Sequence, residues 1–222
     1  KKIIAAKGAP EAILACSNAN SEIRMATQNA INEFTSAGYR VLAVGEALFS
    51  GNNFPAKQQD FIFELKGVIA FYDPPKENIA TVLSQFYQAG IKVKIITGDN
   101  AATTTTIAKK IGLKSADKQI SGEELMLLSE QDLKTKVAET TIFTRMFPEA
   151  KLKIINALKS NNEIVAMTGD GVNDGPALKA AHIGIAMGKK GTEIAKQAAS
   201  LILIDDDLAK MVDAVAMGRK IY

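Results

Sequence analysis

Short apolar segments alternate with helix-like segments through the last two-thirds of the chain, and this alternation limits its fold more than any other feature. The pattern predicts five strands separated by helices, at 93–96, 141–144, 164–167, 183–187 and 200–204. Strands that alternate with helices form a parallel sheet covered on both faces. Such sheets bind ligands in the loops at the carboxyl ends of their strands. We therefore predict an α/β fold whose functional residues lie in those loops, ending in a helix over 207–222.

The first third of the chain has a different order of elements. Its composition predicts a strand at 2–6, helices starting at Pro10 and Ser21, and two apolar strands within 40–47 and 61–72. Asp73-Pro74-Pro75-Lys76 follows, and two prolines in a row stiffen the chain and disfavour a helix at Asp73. Either a hinge between domains or a helix start after a strand explains this motif. We place the domain boundary here, giving residues 1–73 and 74–222.

Composition excludes several classes of protein. The chain has 222 residues, of which 47% are hydrophobic and 23% charged, so it is an ordinary globular sequence. The formal net charge of +3 is too small to indicate a nucleic-acid partner. A single cysteine excludes an internal disulfide, a single histidine excludes a His-rich metal site, and no apolar stretch approaches the length of a membrane span. Because the sequence does not begin with Met, we expect it to be a piece of something longer.

Two of the predicted carboxyl-end loops begin with the same three residues. Thr97-Gly98-Asp99 follows one strand, Thr168-Gly169-Asp170 follows another, and each loop leads into a helix. A threonine hydroxyl and the free amides of a helix N-terminus can together bind an anion. One such loop more often only turns the chain and caps the helix. Two in one sheet favour an anion site.

The second loop also concentrates oxygen ligands. Asp170, Asn173 and Asp174 lie within five residues, and hard oxygen ligands at this density suit Mg²⁺ or Ca²⁺. The spacing does not fit an EF-hand, a dinucleotide-binding fingerprint or a Walker-type phosphate loop. An acidic Mg²⁺ site beside an anion site is what phosphoryl transfer requires.

Three basic residues are candidates for binding phosphate. Lys151 lies in the first turn of the helix that follows Pro148, where a cation opposes the helix dipole unless it faces an anion. Lys7, in Lys7-Gly8-Ala9-Pro10-Glu11, and Arg40, at the start of a strand, are weaker candidates. Lys151 and Arg40 are each more often solvated surface residues, and the Lys7 motif is weak on its own, so none of the three carries the assignment alone.

Together these motifs resemble the P-type cation-transporting ATPases, and the Lys-Gly-Ala-Pro-Glu form resembles their calcium-pump-like branch. Four motifs appear in the family's order along essentially the whole chain: Lys7-Gly8-Ala9-Pro10-Glu11, Asp73-Pro74-Pro75-Lys76, Thr97-Gly98-Asp99, and Thr168 to Asp174. Gly175 and Thr144 replace residues that are usually alanine in the family. These departures are peripheral.

The resemblance implies a role for each part. Residues 1–73 would be the later part of an α+β nucleotide-binding domain, in which Lys7 and Gly8 line the adenine pocket, Arg40 reaches the ATP phosphates and Asp73 lies at the hinge. Residues 74–222 would be most of the phosphorylation domain, a haloacid-dehalogenase-like Rossmann fold. The implied cofactor is Mg²⁺, the substrate is ATP, and no nucleic acid takes part.

The implied phosphorylation site uses residues from two loops and from the first turn of one helix. Thr97 and Gly98 would hold the phosphoryl group, with Asp99 in a supporting role, and Lys151 would neutralise it. Asp170, together with Asp174, would bind Mg²⁺, while Asn173 and Asp174 would also order the site.

The resemblance also implies what the chain lacks. The family's phosphorylated aspartate lies in an Asp-Lys-Thr-Gly-Thr motif on a strand near the middle of the sheet, and no such motif occurs in this sequence. We therefore expect a gap in the sheet and no ATP hydrolysis by this chain alone. The partners would be the rest of a membrane pump, of which this segment is cytoplasmic, and a transported cation. A haloacid-dehalogenase-like soluble phosphatase and a non-catalytic nucleotide- or metal-binding module stay open as alternatives.

Overall fold

The chain forms two compact units in a computed structural model that describes residues 2–221. The first unit is Lys1–Pro74 and the second is Pro75–Tyr222. The division falls between the two prolines of the Asp73-Pro74-Pro75-Lys76 motif. The identities of the two units as nucleotide-binding and phosphorylation domains stay predictions.

The first unit is an antiparallel sheet with two helices on one face. Its elements are β1 (Lys2–Gly8), α1 (Pro10–Ala15), α2 (Ser21–Ser36), β2 (Arg40–Phe49), a 3-10 turn (Gln58–Asp60) and β3 (Glu64–Phe71). Strand β2 lies in the centre, with β1 and β3 antiparallel on either side. Pro10 occupies the first turn of α1, and the Asn20 side chain caps α2 by accepting a hydrogen bond from the Ile23 amide.

One face of this sheet is buried and the other is exposed. Alternate residues of β2, including Val41, Ala43 and Ala47, are buried together with Ile13 and Leu14 of α1. Because side chains alternate across a strand, the intervening residues of β2 lie on the opposite face. That exposed face carries the basic residues predicted to bind nucleotide.

The second unit alternates strands and helices as the sequence predicts. Its elements are α3 (Ile79–Gln88), β4 (Ile95–Ile96), α4 (Ala101–Lys110), β5 (Gln119–Ser121), α5 (Gly122–Met126), α6 (Glu130–Glu139), β6 (Ile142–Thr144), α7 (Pro148–Ser160), β7 (Ala166–Gly169), α8 (Gly175–Ala180), β8 (Ile183–Met187), α9 (Glu193–Ala198), β9 (Leu201–Leu203) and α10 (Ala209–Ile221). The last predicted helix extends to residue 222, which lies outside the described residues. The α/β class is confirmed.

The strands of this unit form two parallel sheets rather than one. The first has the order β4-β6-β5 and the second the order β7-β8-β9, with three strands in each. Strands β4 and β7 each end their sheet, and no ladder of hydrogen bonds joins them in the part of the chain that the structure describes. This corrects the single parallel sheet predicted from the alternation and agrees with the expected gap.

A shared core holds the two sheets in one unit. One cluster of buried residues takes Ile120 and Phe143 from the first sheet and Met167 and Ala186 from the second, with Ile154 of α7 between them. None of the helices within residues 2–221 is both long and apolar enough to cross a bilayer.

Candidate active site

Strand β7 leads into a loop whose shape is fixed by one buried carboxylate. A 3-10 turn over Val172–Asp174 follows the strand, and α8 begins directly after it. The Asp174 Oδ2 atom accepts hydrogen bonds from the amides of Gly171, at 3.1 Å, and Asp170, at 3.3 Å. Because this carboxylate bonds back to the amides that precede it, the loop is held in one compact conformation.

The same carboxylate forms an ion pair with Lys151. The Lys151 Nζ atom donates to Asp174 Oδ1 at 2.6 Å, and the two side chains are only 13% and 10% exposed. Lys151 lies in the first turn of α7, where the positive end of the helix dipole disfavours a cation. The buried carboxylate compensates for that position. The structure therefore brings two predicted site residues into direct contact.

Close packing of the loop requires glycine at position 169. A Cβ atom on Gly169 would lie 2.6 Å from Asp174 Cβ and 2.8 Å from its Cγ. Asp174 cannot move away easily, because Lys151 and two amides hold its carboxylate. Gly169 therefore serves the contact between β7 and Asp174.

Asp170 is the carboxylate of this loop that faces solvent. Asp170 and Asn173 are both exposed, whereas Asp174 is buried. Within residues 2–221 there is no cluster of three or more His, Cys, Asp or Glu side chains that could hold a metal ion. Mg²⁺ is commonly bound by one or two carboxylates with water and substrate phosphate, so the exposed Asp170 carboxylate fits this ion. Because Asp174 is already paired, its predicted role as a metal ligand stays a prediction.

The first Thr-Gly-Asp loop closes on itself. The Asp99 amide donates to Thr97 Oγ1 at 3.1 Å, and Thr97 Oγ1 donates to Asp99 Oδ2 at 3.3 Å. Asn100 then caps α4 by accepting from the Thr103 amide. Gly98 lies exposed between them. The loop thus combines a turn and a helix cap, and its predicted anion-binding role stays a prediction.

A short backbone segment connects this loop to the helix that carries Lys151. The Arg145 amide donates to the Asp99 carbonyl at 3.0 Å, and the Met146 amide donates to the Thr97 carbonyl at 2.9 Å. Helix α7 starts two residues later. The carboxyl ends of β4 and β6 are therefore tied together directly beside the first turn of α7.

In the first unit, Lys7 and Arg40 lie on the same face of the sheet. Lys7 is paired with Val44 of β2, and Arg40 lies four residues before Val44 on that strand. Because side chains four residues apart on a strand lie on the same face, Arg40, Val44 and the paired Lys7 all lie on the exposed face. At about 3.3 Å per residue, Lys7 and Arg40 are separated by about 13 Å along the strand direction.

The other two predicted nucleotide-binding residues lie elsewhere in this unit. Gly8 pairs with buried Ala43 on the helix-covered face, where an added Cβ would lie 3.8 Å from Ile13. Asp73 is exposed after β3. Their nucleotide-binding roles stay predictions.

The residues that support Asp170 from outside its own loop are not among those predicted from the sequence. The Thr192 amide donates to the Asp170 carbonyl at 2.8 Å. Buried Asp206 accepts from the amides of Lys189 and Lys190 in the same loop as Thr192. The sequence carried a signal for them, because residues 189–192 and Asp206 each follow the carboxyl end of a parallel strand, where functional residues commonly lie.

Comparison with known proteins supports the family resemblance. The model of the haloacid dehalogenase-like hydrolases matches residues 4–182. The probable cation-transporting ATPase F of Mycobacterium tuberculosis is 41% identical over 206 residues, covering 90% of this chain and 23% of that protein. The calcium-transporting ATPase of Bacillus subtilis is 36% identical over 234 residues, covering 100% of this chain and 26% of that protein.

A human relative shows the same pattern of coverage. Calcium-transporting ATPase type 2C member 1 of Homo sapiens is 41% identical over 188 residues, covering 84% of this chain and 19% of that protein. The chain thus spans about a quarter or less of the curated relatives that it matches. These matches confirm the resemblance to cation-transporting ATPases and the haloacid-dehalogenase-like fold.

Proposed function

The chain belongs to the haloacid dehalogenase-like hydrolase family, and we propose that it is part of an ATP-driven cation pump. Residues 74–222 carry the phosphoryl-transfer machinery in this proposal, and residues 1–73 carry nucleotide-binding residues. The proposal rests on one arrangement, in which an exposed Asp170 carboxylate lies in a loop fixed by the buried Lys151–Asp174 pair. The names of the relatives, which are cation- and calcium-transporting ATPases, support the choice of a pump over a soluble phosphatase.

Asp170 is the residue that we propose to bind Mg²⁺. Its carboxylate is exposed at the end of β7, while its amide and carbonyl are both held by neighbouring groups. A fixed backbone with a free carboxylate is the arrangement that a metal ligand needs. When bound, Mg²⁺ would neutralise charge on the phosphate oxygens.

Lys151 and Asp174 act as a unit in this proposal. Asp174 holds the Lys151 ammonium at the end of the sheet. An ammonium has three protons to donate, and the others would bind phosphoryl oxygens. Phosphoryl transfer requires positive charge at this point. Thr97 and Gly98 would bind the phosphoryl group, with Asp99 fixing the Thr97 hydroxyl, and Asn173 would order the site.

The nucleophile comes from outside this sequence in our proposal. A phosphoryl acceptor must be a carboxylate in line with the γ-phosphate. Asp99 is engaged inside its own loop, Asp174 is paired with Lys151 and with two loop amides, and Asp170 is assigned to the metal. The free edges of β4 and β7 are where a strand from another part of the pump would pair and bring the acceptor aspartate.

The exposed sheet face of the first unit is the proposed nucleotide-binding surface. Lys7 and Arg40 provide two positive charges on that face for ATP, with Gly8 and Asp73 as further predicted contributors. The pump would place both units in the compartment that holds ATP. The transported cation would bind in another part of the pump.

A Mn²⁺ titration tests the proposed metal site. Mn²⁺ is a paramagnetic substitute for Mg²⁺, and free Mn²⁺ is counted directly by electron paramagnetic resonance. We expect Asp170→Asn to weaken Mn²⁺ binding by the 222-residue chain by about tenfold or more, because one anionic ligand is lost. Asp117→Asn is the matched control, since Asp117 is an exposed aspartate of the same unit. Equal Mn²⁺ affinity in the wild type and Asp170→Asn would refute the site.

A further inference from the structure

Asp206 lies at an unusual position just after β9. It is buried although it is charged, and its backbone is left-handed, with a φ of 57°. The amide of Lys189 donates to its Oδ1 at 2.9 Å, and the amide of Lys190 donates to its Oδ2 at 3.0 Å. Both carboxylate oxygens therefore bind backbone of the loop that follows β8.

These hydrogen bonds also affect the ionisation of Asp206. The Lys189 amide, with those of Lys190 and Gly188 and the charge of Lys76, holds the pKa of the Asp206 carboxyl below its ordinary value. The side chain is therefore ionised at neutral pH, when it is the stronger hydrogen-bond acceptor.

The loop that Asp206 binds is tightly closed at both ends. The Gly188 amide donates to the Leu203 carbonyl at 2.8 Å. A Cβ atom on Gly191 would lie 2.0 Å from the Met187 carbonyl oxygen, so no larger residue fits there without a shift of backbone. Residues 189 and 190 are therefore flanked by two closely held glycines, and residue 192 follows the second of them directly.

Residue 192 is the point where this loop reaches the proposed metal site. The Thr192 amide donates to the Asp170 carbonyl at 2.8 Å, and the Thr192 hydroxyl caps α9 by accepting from the Ala195 amide. A continuous path of hydrogen bonds and short backbone segments thus runs from Asp206, through residues 189–192, to Asp170.

Residues near the beginning of the second unit also bind Asp206 and its neighbour Asp207. The Lys76 ammonium donates to the Asp206 carbonyl, and the Asn78 side chain donates to Asp207 Oδ1 at 3.1 Å. Lys76 follows the two prolines of the Asp73-Pro74-Pro75-Lys76 motif directly. The anchor of the loop is therefore itself fixed by residues 76 and 78.

We propose that Asp206 is a positioning residue that holds residues 188–192 and, through the Thr192 amide, the backbone of Asp170. The inference rests on the proposed function, because it takes Asp170 as the metal ligand. Asp206 does not touch the metal or the phosphoryl group. Outer-shell groups that orient a ligand commonly contribute about 10–100-fold to metal affinity.

Two variants of Asp206 test this role without forcing the chain to unfold. Asp206→Gly removes both acceptors, and glycine adopts a φ of 57° without strain. Asp206→Asn keeps one acceptor and also tolerates the left-handed conformation. Asp205→Ala is the matched control, because the neighbouring Asp205 is exposed and its ion pair with Lys189, at 3.8 Å, is exposed as well.

Hydrogen exchange and Mn²⁺ binding are measured together on the full 222-residue chain. In Asp206→Gly we expect the Thr192 amide to exchange about tenfold faster or more and Mn²⁺ to bind about tenfold more weakly. Asp206→Asn should fall between Asp206→Gly and the wild type, and Asp205→Ala should stay within about twofold of the wild type. Circular dichroism identifies variants that have unfolded.

The outcomes separate this inference from the proposed function. A folded Asp206→Gly variant with wild-type Thr192 exchange and Mn²⁺ affinity would overturn the inference, while the loss of Mn²⁺ binding in Asp170→Asn would leave the proposed function standing. Equal damage from Asp205→Ala would also overturn it, since the effect would then come from charge alone. If Asp206→Gly unfolds, the Thr192 exchange rate in Asp206→Asn decides, and an unchanged rate refutes the inference.

Discussion

Removing the ammonium of Lys151 should destabilise the second unit measurably. In Lys151→Met the Asp174 carboxylate, which is 10% exposed, loses the partner that lies 2.6 Å away. Methionine keeps most of the apolar length of the lysine side chain. The loss therefore reports on the ion pair rather than on packing.

The size of the effect follows from what remains bound to Asp174. Breaking a buried ion pair by removing one partner costs about 3–5 kcal/mol. The amides of Gly171 and Asp170 still donate to Asp174, and removing a cation from the first turn of α7 recovers a few tenths of a kcal/mol. We therefore expect Lys151→Met to lower the free energy of unfolding by about 2–3 kcal/mol.

A double-mutant cycle isolates the pair itself. Urea titrations of the wild type, Lys151→Met, Asp174→Asn and the double variant are followed by circular dichroism, since the chain contains no tryptophan. We expect a coupling free energy of about 2 kcal/mol. The matched control is a cycle on Lys92 and Glu163, which pair at 2.8 Å with side chains 73% and 46% exposed, where we expect about 0.2–0.5 kcal/mol.

Comparing the two coupling free energies decides whether Lys151 and Asp174 form a buried pair that fixes the loop. A coupling free energy for Lys151 and Asp174 no larger than that of Lys92 and Glu163 would refute the assignment of a buried, loop-fixing pair.

Three further changes have expected outcomes. Burial lowers the pKa of Lys94 from 10.5 to about 8 in the folded state. The unfolded chain therefore binds more protons between those values, and this residue makes the folded state more stable as pH rises from about 8 to about 10. In urea titrations over that range, the free energy of unfolding of the wild type should rise relative to that of Lys94→Met. Gly169→Ala should lower the free energy of unfolding by about 1–3 kcal/mol, because the new Cβ overlaps Asp174. Lys7→Ala should weaken binding of a fluorescent ATP analogue without changing Mn²⁺ affinity, because Lys7 and Asp170 belong to different units.

Each of these changes has a matched control. Lys109→Met replaces an exposed lysine of the same unit and should leave the pH dependence of stability unchanged. Gly218→Ala lies in an exposed part of α10, where no described atom beyond the neighbouring helix backbone is within 4 Å of the new Cβ, and should stabilise by about 0.5–1 kcal/mol. Lys57→Ala changes an exposed loop lysine of the first unit and should not affect nucleotide binding. A control variant that changes the measured quantity as much as its test variant would contradict the reasoning behind that test.

Much of the fold could be predicted from the sequence because its strands are short, apolar and bounded by loops. Strand β8 lies at the predicted residues 183–187, and α7 starts one residue before the predicted 149. Strand β5, Gln119–Ser121, was not predicted, because only Ile120 of its three residues is buried and apolar. Pairing between strands is a property of distant segments, so the separation into two sheets could not be predicted from the alternation alone.

The site shows a similar limit. The sequence placed Asp170, Asp174 and Lys151 near one another, because all three lie near the carboxyl ends of parallel strands. It could not indicate that Asp174 pairs with Lys151 rather than facing solvent beside Asp170, since one loop offers both arrangements. Asp206 was missed because its role depends on contacts with residues 189 and 190, which are far from Asp170 in the sequence.

The most direct test of the account is incubation of the purified 222-residue chain with radiolabelled ATP and Mg²⁺, with Asp170→Asn alongside to expose contaminating activity. Asp170 is assigned to the metal, Asp99 is engaged inside its loop and Asp174 is paired with Lys151, so the proposed site has no carboxylate left to accept the phosphoryl group. We expect neither sustained ATP turnover nor an acid-stable phosphoprotein. Turnover that persists in the wild-type chain and disappears in Asp170→Asn would show that the nucleophile lies within this sequence and would contradict the account.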